Sequence, residues 1–199
     1  MKTIDLPEFR VALPDWIESF LPEPDHVYSS DEEKMNLAIR LAGENIRHDS
    51  GGPFGAAVFD KNTGKLIAPG VNVVVPSQWS GGHAEVMALA WAQMKLKTHD
   101  LGANGMPYCE LFTSTEPCVM CLGASIWSGV RRVVCASRDE DARGCGFDEG
   151  PKPGNWRSEL ESRGIEVTQD ILREKAVDVL NEYVRLGKPV YNARQNKLK

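Results

Sequence analysis

The chain is expected to fold as a three-layer α/β/α sandwich around a mixed five-stranded sheet, and three observations lead there. Five short runs read as strands, at 56–59, 66–75, 111–113, 130–136 and 165–167, and apolar residues at helical spacing lie between several of them. The first two runs are joined by the turn Lys61-Asn62-Thr63-Gly64-Lys65, which makes them antiparallel partners. The later runs alternate with helices, and a strand, helix, strand succession closes by a right-handed crossover, so the final strands are parallel.

Residues 1–29 carry four prolines (Pro7, Pro14, Pro22, Pro24) and an apolar cluster of Trp16, Ile17, Phe20 and Leu21. They read as an arm packed on the domain, with one short helix over 15–21. Residues 30–199 form the single domain, and 199 residues in all suffice for a substantial core. Ser30-Asp31-Glu32-Glu33 is a capping box, and the helix it opens repeats Met35, Ile39, Ala42 and Ile46 on one face. His48 falls near its C-terminal end, where partial positive charge is favourable. Gly51-Gly52-Pro53-Phe54-Gly55 stops that helix, and the small residues of Ala56-Ala57-Val58-Phe59 admit close approach to the strand that follows.

A helix is expected from His83 to about Lys97 with Met87, Ala90, Trp91 and Met94 as its buried stripe. A strand ends at Thr115-Glu116-Pro117-Cys118, and a second helix runs from there to about Ser128. Cys135 lies in a β-rich apolar run and reads as an inert core thiol. Gly144 to Pro151 is turn-like, 155–162 reads as a helix, and 170–185 as a last helix with Leu172, Ala176, Val179, Leu180 and Tyr183 inward.

Composition narrows the function classes. Hydrophobic residues at 42% and charged residues at 26% are those of a soluble globular protein, and no apolar run approaches a membrane span. The first residues lack the basic-then-apolar pattern of an export signal, which makes the cytoplasm the expected compartment. Five cysteines, an odd number, argue against a disulfide framework. A net charge of −5 weakens a nucleic-acid reading, because gripping a polyanion needs a basic face. Arg131-Arg132 and the tail lysines and arginine read as a solvated face and a loose end.

The chemistry is concentrated in Gly81-Gly82-His83-Ala84-Glu85 and Glu116-Pro117-Cys118-Val119-Met120-Cys121. His83, Cys118 and Cys121 are good ligands for one Zn²⁺, and a catalytic zinc site uses three protein ligands and leaves the fourth position to water. Pro117 suits the first turn of a helix, so Cys118 and Cys121, three apart, share a face at its N-terminus. Glu85, two residues after His83, leans over the end of its own helix and stands beside the metal as a general base. A closed structural site would need a fourth protein ligand, and Cys109, Cys135 and Cys145 form no second C-x-x-C pair.

The order H-x-E followed by P-C-x-x-C is the signature of zinc-dependent base deaminases. On those residues the chain resembles the cytidine deaminase-like superfamily, and in further detail its bacterial guanine deaminases, including the branch that accepts the triazine ammeline. The resemblance implies that Phe54 and Asn72 line a base pocket and that Glu149 sets a second carboxylate over the substrate. It also implies that the tail Val190-Tyr191-Asn192-Ala193-Arg194 closes over the base, with Tyr191 at the substrate. Trp127 is a further candidate for aromatic surface in the pocket.

The expected activity is thus hydrolytic deamination of a free nucleobase or related amino-heterocycle, guanine to xanthine plus ammonia, and the resemblance implies a homodimer, as is common for small deaminases of this superfamily. A tRNA-editing adenosine deaminase shares Thr-x-Glu-Pro-Cys-Val-Met-Cys-x-Gly-Ala, and cytosine or ammeline are other rings for the same chemistry. A non-catalytic zinc-binding module is the alternative of a different class, against which Glu85 speaks because folding does not require it. Gly81-Gly82 departs from the small side chain expected next to the metal histidine, which bears on pocket shape.

Overall fold

The computed structural model describes residues 8–194. Its element order is α1 (Trp16–Phe20), α2 (Asp31–Arg47), β1 (Gly55–Asp60), β2 (Leu66–Val71), α3 (Val74–Ser77), α4 (Ala84–Leu96), β3 (Cys109–Thr115), α5 (Val119–Ser128), β4 (Arg132–Ser137), α6 (Asp139–Gly144), α7 (Trp156–Glu161), β5 (Glu166–Thr168) and α8 (Arg173–Arg185). The sheet order is β2-β1-β3-β4-β5, with β1 antiparallel to both β2 and β3 and the pairs β3–β4 and β4–β5 parallel. The mixed five-stranded sheet and its helical layers are as expected from the sequence.

Alternation along β1 sorts the two layers. Ala56 and Val58 face one side, where Ala84, Ala88, Leu89 and Ala92 of α4, Leu122 of α5 and Trp156 and Leu160 of α7 close the core. Ala57 and Phe59 face the other, against Met35, Ala38 and Leu41 of α2 and Ala176 of α8. Ile17 of α1 is buried in this second cluster, with Trp16 and Phe20 packed against it.

Two glycines set how near the helices come. A Cβ on Gly55 would lie 2.2 Å from the Ala38 carbonyl oxygen, and one on Gly70 would lie 2.2 Å from that of Ala84. Any side chain there would push α2 or α4 off the sheet, and α4 carries the first metal-ligating candidate at its start. Pro69 in β2 is tolerated because β2 is an edge strand. Glu110, fully buried on the central strand β3, is matched by Lys34 at 2.5 Å and Arg132 at 3.1 Å, so its charge is not orphaned.

The sequence reading needs correction at three places. The buried stripe of α4 is Ala84, Ala88, Leu89 and Ala92 together with Met87, whereas Ala90, Trp91 and Met94 face outward. Every residue from Val86 to Ala92 is apolar, so no polar side marks the phase. β2 stops at Val71 rather than Val75, because Val74–Ser77 turns into the short α3 and Gln78 takes a left-handed conformation at φ 52°. Finally, Arg132, read from the sequence as part of a solvated face, has a side chain only 11% exposed, because its guanidinium is drawn in by Asp31 at 2.6 Å and Glu110 at 3.1 Å. The polar run Asp139–Gly144, unassigned from the sequence, is helical, with Asp141 accepting from the Arg138 N–H at 2.8 Å at its start.

Candidate active site

His83 is the N-cap residue of α4 and Cys118 the N-cap residue of α5, and Cys121 lies in the first turn of α5. Both residues are extended, His83 at ψ 151° and Cys118 at ψ 173°, so each side chain hangs over a helix N-terminus. The His83 Nδ1 lies 3.5 Å from the Cys118 sulfur and 3.6 Å from that of Cys121. All three donor atoms fall within 4.8 Å of one another. Tetrahedral zinc, with Zn–S of about 2.3 Å and Zn–N of about 2.0 Å, separates nitrogen from sulfur by about 3.5 Å. The three groups therefore fit that ion in chemistry and in spacing.

Electrostatics agrees. The Cys121 thiol donating to Cys118 holds the latter down to about 4, with His83 acting in the same direction, while Cys121 itself is pushed well up by that same hydrogen bond and by burial. Burial pulls the His83 imidazole down, but its hydrogen bond with Cys118 and the charge there outweigh it, and the net shift is upward. A divalent cation among these donors would ionise both sulfurs. Cys109 and Cys135, by contrast, are lifted by burial, as suits inert thiols.

Beside the donors a cavity of about 250 Å³ opens. Glu85 in the first turn of α4 and Glu149 after α6 both line it, each otherwise buried. Burial first, and the Cys118 charge second, push Glu85 up to about 7 and Glu149 up to about 8. Phe54 and Asn72 line the same cavity from the β1–β2 side. Tyr191 lines it as well, its hydroxyl accepting from the Asn72 amide, whose carbonyl accepts from the Val74 N–H at 3.3 Å.

Seven of the nine residues named from the sequence around the metal and pocket thus line this cavity, and Cys121 is buried beside His83 and Cys118. Trp127 does not join them: it stands 86% exposed on the outward face of α5, because six residues past Cys121 the helix has turned its side chain away from the buried face. Gly81 and Gly82 are both buried; a Cβ on Gly81 would strike the Trp79 ring at 2.3 Å, and one on Gly82, next to the histidine, would crowd Val73 at 3.1 Å and the Val74 nitrogen at 3.2 Å.

The sequence reading missed Phe147, whose ring packs edge-on against Phe54 at 4.9 Å and against Tyr191 at 6.1 Å. Its only signal was its place two residues before Glu149. Lys152 was missed as well; it is buried with its ammonium 2.8 Å from Glu116 and 3.2 Å from Asp139, which ties the Glu149 segment to the elbow before Cys118.

The raised carboxyls make stability depend on pH. Unfolded, Glu149 has the ordinary value of 4.5, and folded it is at about 8. Between those values the unfolded chain has released the proton and the folded chain keeps it, so this contribution is full below about 4.5 and is lost as pH rises toward 8. Metal-free Glu149→Gln is therefore expected to gain thermal midpoint over the metal-free parent as pH goes from about 5 to about 8.5. A difference that stays constant across that range would refute the placement of this carboxyl.

Residues 28–137 match the family model described as "Cytidine and deoxycytidylate deaminase zinc-binding region". The chain belongs to this family. It is a zinc-binding hydrolytic deaminase, with the family's zinc region spanning both halves of the donor triad. A guanine deaminase of Bacillus subtilis is 40% identical over 118 residues, covering 59% of this chain and 71% of the relative. A solved guanine deaminase from Nitrosomonas europaea is 50% identical with a TM-score of 0.83, covering 92% of this chain and 98% of that one. A second solved structure, a complex with 2,6-diaminopurine, is 50% identical with a TM-score of 0.87, covering 94% and 98%. Among the described residues no helix of this deaminase is long and apolar enough to cross a membrane.

Proposed function

We propose that this deaminase hydrolyses guanine to xanthine and ammonia, using one Zn²⁺ per chain held by His83, Cys118 and Cys121. The observation that carries the reading is one small, tail-covered cavity in which two carboxyls with raised pKa values and an amide side chain converge beside the metal donors. Its likeness to a guanine deaminase and to a diaminopurine complex supports a purine there.

Zn²⁺, when bound, supplies the Lewis acidity that makes a water molecule nucleophilic near neutral pH. Glu85 takes a proton from the attacking water and delivers it to a ring nitrogen, which makes the amidine carbon electrophilic. A carbon–oxygen bond forms there, the carbon–nitrogen bond to the exocyclic amine breaks, and Glu85 helps protonate the departing ammonia. Glu149 accepts from the ring N–H groups and assists that departure. Burial raises both carboxyls above the ordinary carboxylate range, which favours the proton-holding state that this exchange passes through. Asn72 binds the ring edge, its amide orientation fixed by Tyr191 and the Val74 N–H, while Phe54 and Phe147 offer aromatic faces. Tyr191 shuts the mouth.

A tRNA substrate fits less well, since an extruded nucleotide drags its backbone through the mouth that Tyr191 and Asn192 cover, and the chain is acidic overall. The deciding experiment is ammonia release from guanine, ammeline, cytosine, adenine and their nucleosides. Guanine is expected to be hydrolysed fastest. Faster release from a nucleoside, or tight and salt-sensitive tRNA binding in a gel shift, would overturn the substrate.

The protein is further proposed to be a homodimer acting in the cytoplasm, a reducing compartment that suits five free cysteines. Trp127 at 86% exposure, Met120 on α5, and Met94 at 69% with Trp91 on α4 leave apolar surface on the outward side of the metal helices. A second copy covering that face explains it. Trp127→Glu is expected to convert the dimer to single chains in sedimentation. A parent protein that already sediments as one chain would end the proposal.

A further inference from the structure

Glu149 is buried, yet among the described residues its carboxylate makes no hydrogen bond, so no polar partner fixes it and the placement of its backbone carries more of the aim. That backbone hangs between Gly146 at φ 94° and Gly150 at φ 70°. Among the ties of its C-terminal side are three from the body of the domain or from within the segment. The Glu149 carbonyl accepts from the Val119 N–H at 3.1 Å, the Gly150 carbonyl accepts from the Arg143 guanidinium at 2.8 Å, and the Gly150 N–H donates to Asp148 at 2.9 Å. These hold the C-terminal side of the segment.

The N-terminal side is tied to α6 by the Gly146 N–H donating to the Arg143 carbonyl at 2.9 Å and the Phe147 N–H donating to the Ala142 carbonyl at 3.1 Å, and the tail grips it a second time. The Asn192 amide accepts from the Asp148 N–H at 2.9 Å and donates to the Gly146 carbonyl at 2.9 Å. One planar amide supplies both an acceptor and a donor, which a carboxylate or an alkyl group of the same size does not. The preceding residue, Tyr191, takes the opposite wall by its bond with Asn72. Two consecutive tail residues thus span the cavity mouth and grip both sides of it.

We propose that Asn192 is a positioning residue, clasping Gly146 and Asp148 so that the Glu149 carboxylate is held over the bound ring. The inference rests on the reading of Glu149 as a group that works on that ring. It assigns to the tail a second task besides covering the pocket. Substrate enclosure and the placement of the second carboxyl then occur together, since both depend on the same short segment lying down.

The test is a double-mutant cycle between Asn192→Ala and Glu149→Gln, run with guanine or with whichever ring of the panel the enzyme hydrolyses fastest. Asn192→Ala on the parent is expected to lower kcat about tenfold, to change KM less than kcat, and to leave the thermal midpoint unmoved. On the Glu149→Gln background it is expected to cost less than about threefold, because the group it positions is gone. Asn192→Asp, which lacks the donor, is expected to behave like Asn192→Ala. An equal kcat loss on both backgrounds, or no loss on the parent, overturns the proposal.

Amide hydrogen exchange keeps the test decisive if Glu149→Gln turns over too slowly to compare. Exchange over 146–149 is expected to speed up in Asn192→Ala while that of Val119 in α5 stays as it was, and unchanged exchange over 146–149 overturns the clasp. A parent protein that releases ammonia from no ring would sink the functional reading alone, and the exchange arm would still decide this one.

Discussion

Glu85→Gln is expected to bind zinc as the parent does and to turn guanine over at least about 10²-fold more slowly. The reasoning starts from position. Glu85 lies in the first turn of α4, two residues past His83, and lines the cavity without standing among the three metal donors. Glutamine keeps the shape and much of the hydrogen bonding, so the donor triad and the fold are preserved. What it removes is a group able to take a proton and return it at neutral pH, which the carboxyl at about 7 is poised to do. Zinc content by elemental analysis and ammonia release measured on the same sample separate the two effects. Near-normal turnover with full zinc would remove Glu85 from the mechanism, and loss of zinc would mean that it serves the metal instead.

The second large effect concerns the metal itself. Cys121→Ser is expected to lose most of its zinc and to lower activity by at least about 10³-fold, since a hydroxyl is a poor anionic ligand where a thiolate is wanted. Cys135→Ser is the control: Cys135 is just as buried, but it lies in β4 among Val133 and Leu111 and offers nothing to the ion. It is expected to keep its zinc and to show any cost as lower stability. Equal zinc loss in both variants would mean that the ion responds to packing damage and not to a missing ligand. Removing zinc from the parent with a chelator should reproduce the inactive state, and adding it back should restore the rate.

What could be read in the sequence followed from how local each signal was. His83, Cys118 and Cys121 were legible because two helix starts and one proline fix their directions within a few residues, and the geometry at 3.5 and 3.6 Å follows from that. The sheet was legible because its hairpin and its crossovers are each dictated by neighbours in the chain. The burial phase of α4 was not, since its outward side carries Trp91 and Met94 where polar residues would have marked it. Trp127 misled for the same reason, an aromatic on a surface that water alone does not explain. Phe147, Lys152 and Asn192 act through contacts that join segments tens of residues apart, and no short pattern announces them. Asn72, Phe54, Glu149 and Tyr191 were named only through resemblance, and the structure gathers all four around one cavity.

One feature of the sheet bears on more than catalysis. β1 runs antiparallel to β3, and β4 runs parallel to it, so β3 is a seam between two differently built halves. His83 arrives on the helix that packs on the hairpin half, while the two cysteines arrive on the helix that leaves β3 for the crossover half. A cation shared by these donors therefore acts as a rivet across the seam, and its binding energy is added to the cohesion of the whole sheet. Starving such a protein of zinc weakens its architecture along with its chemistry.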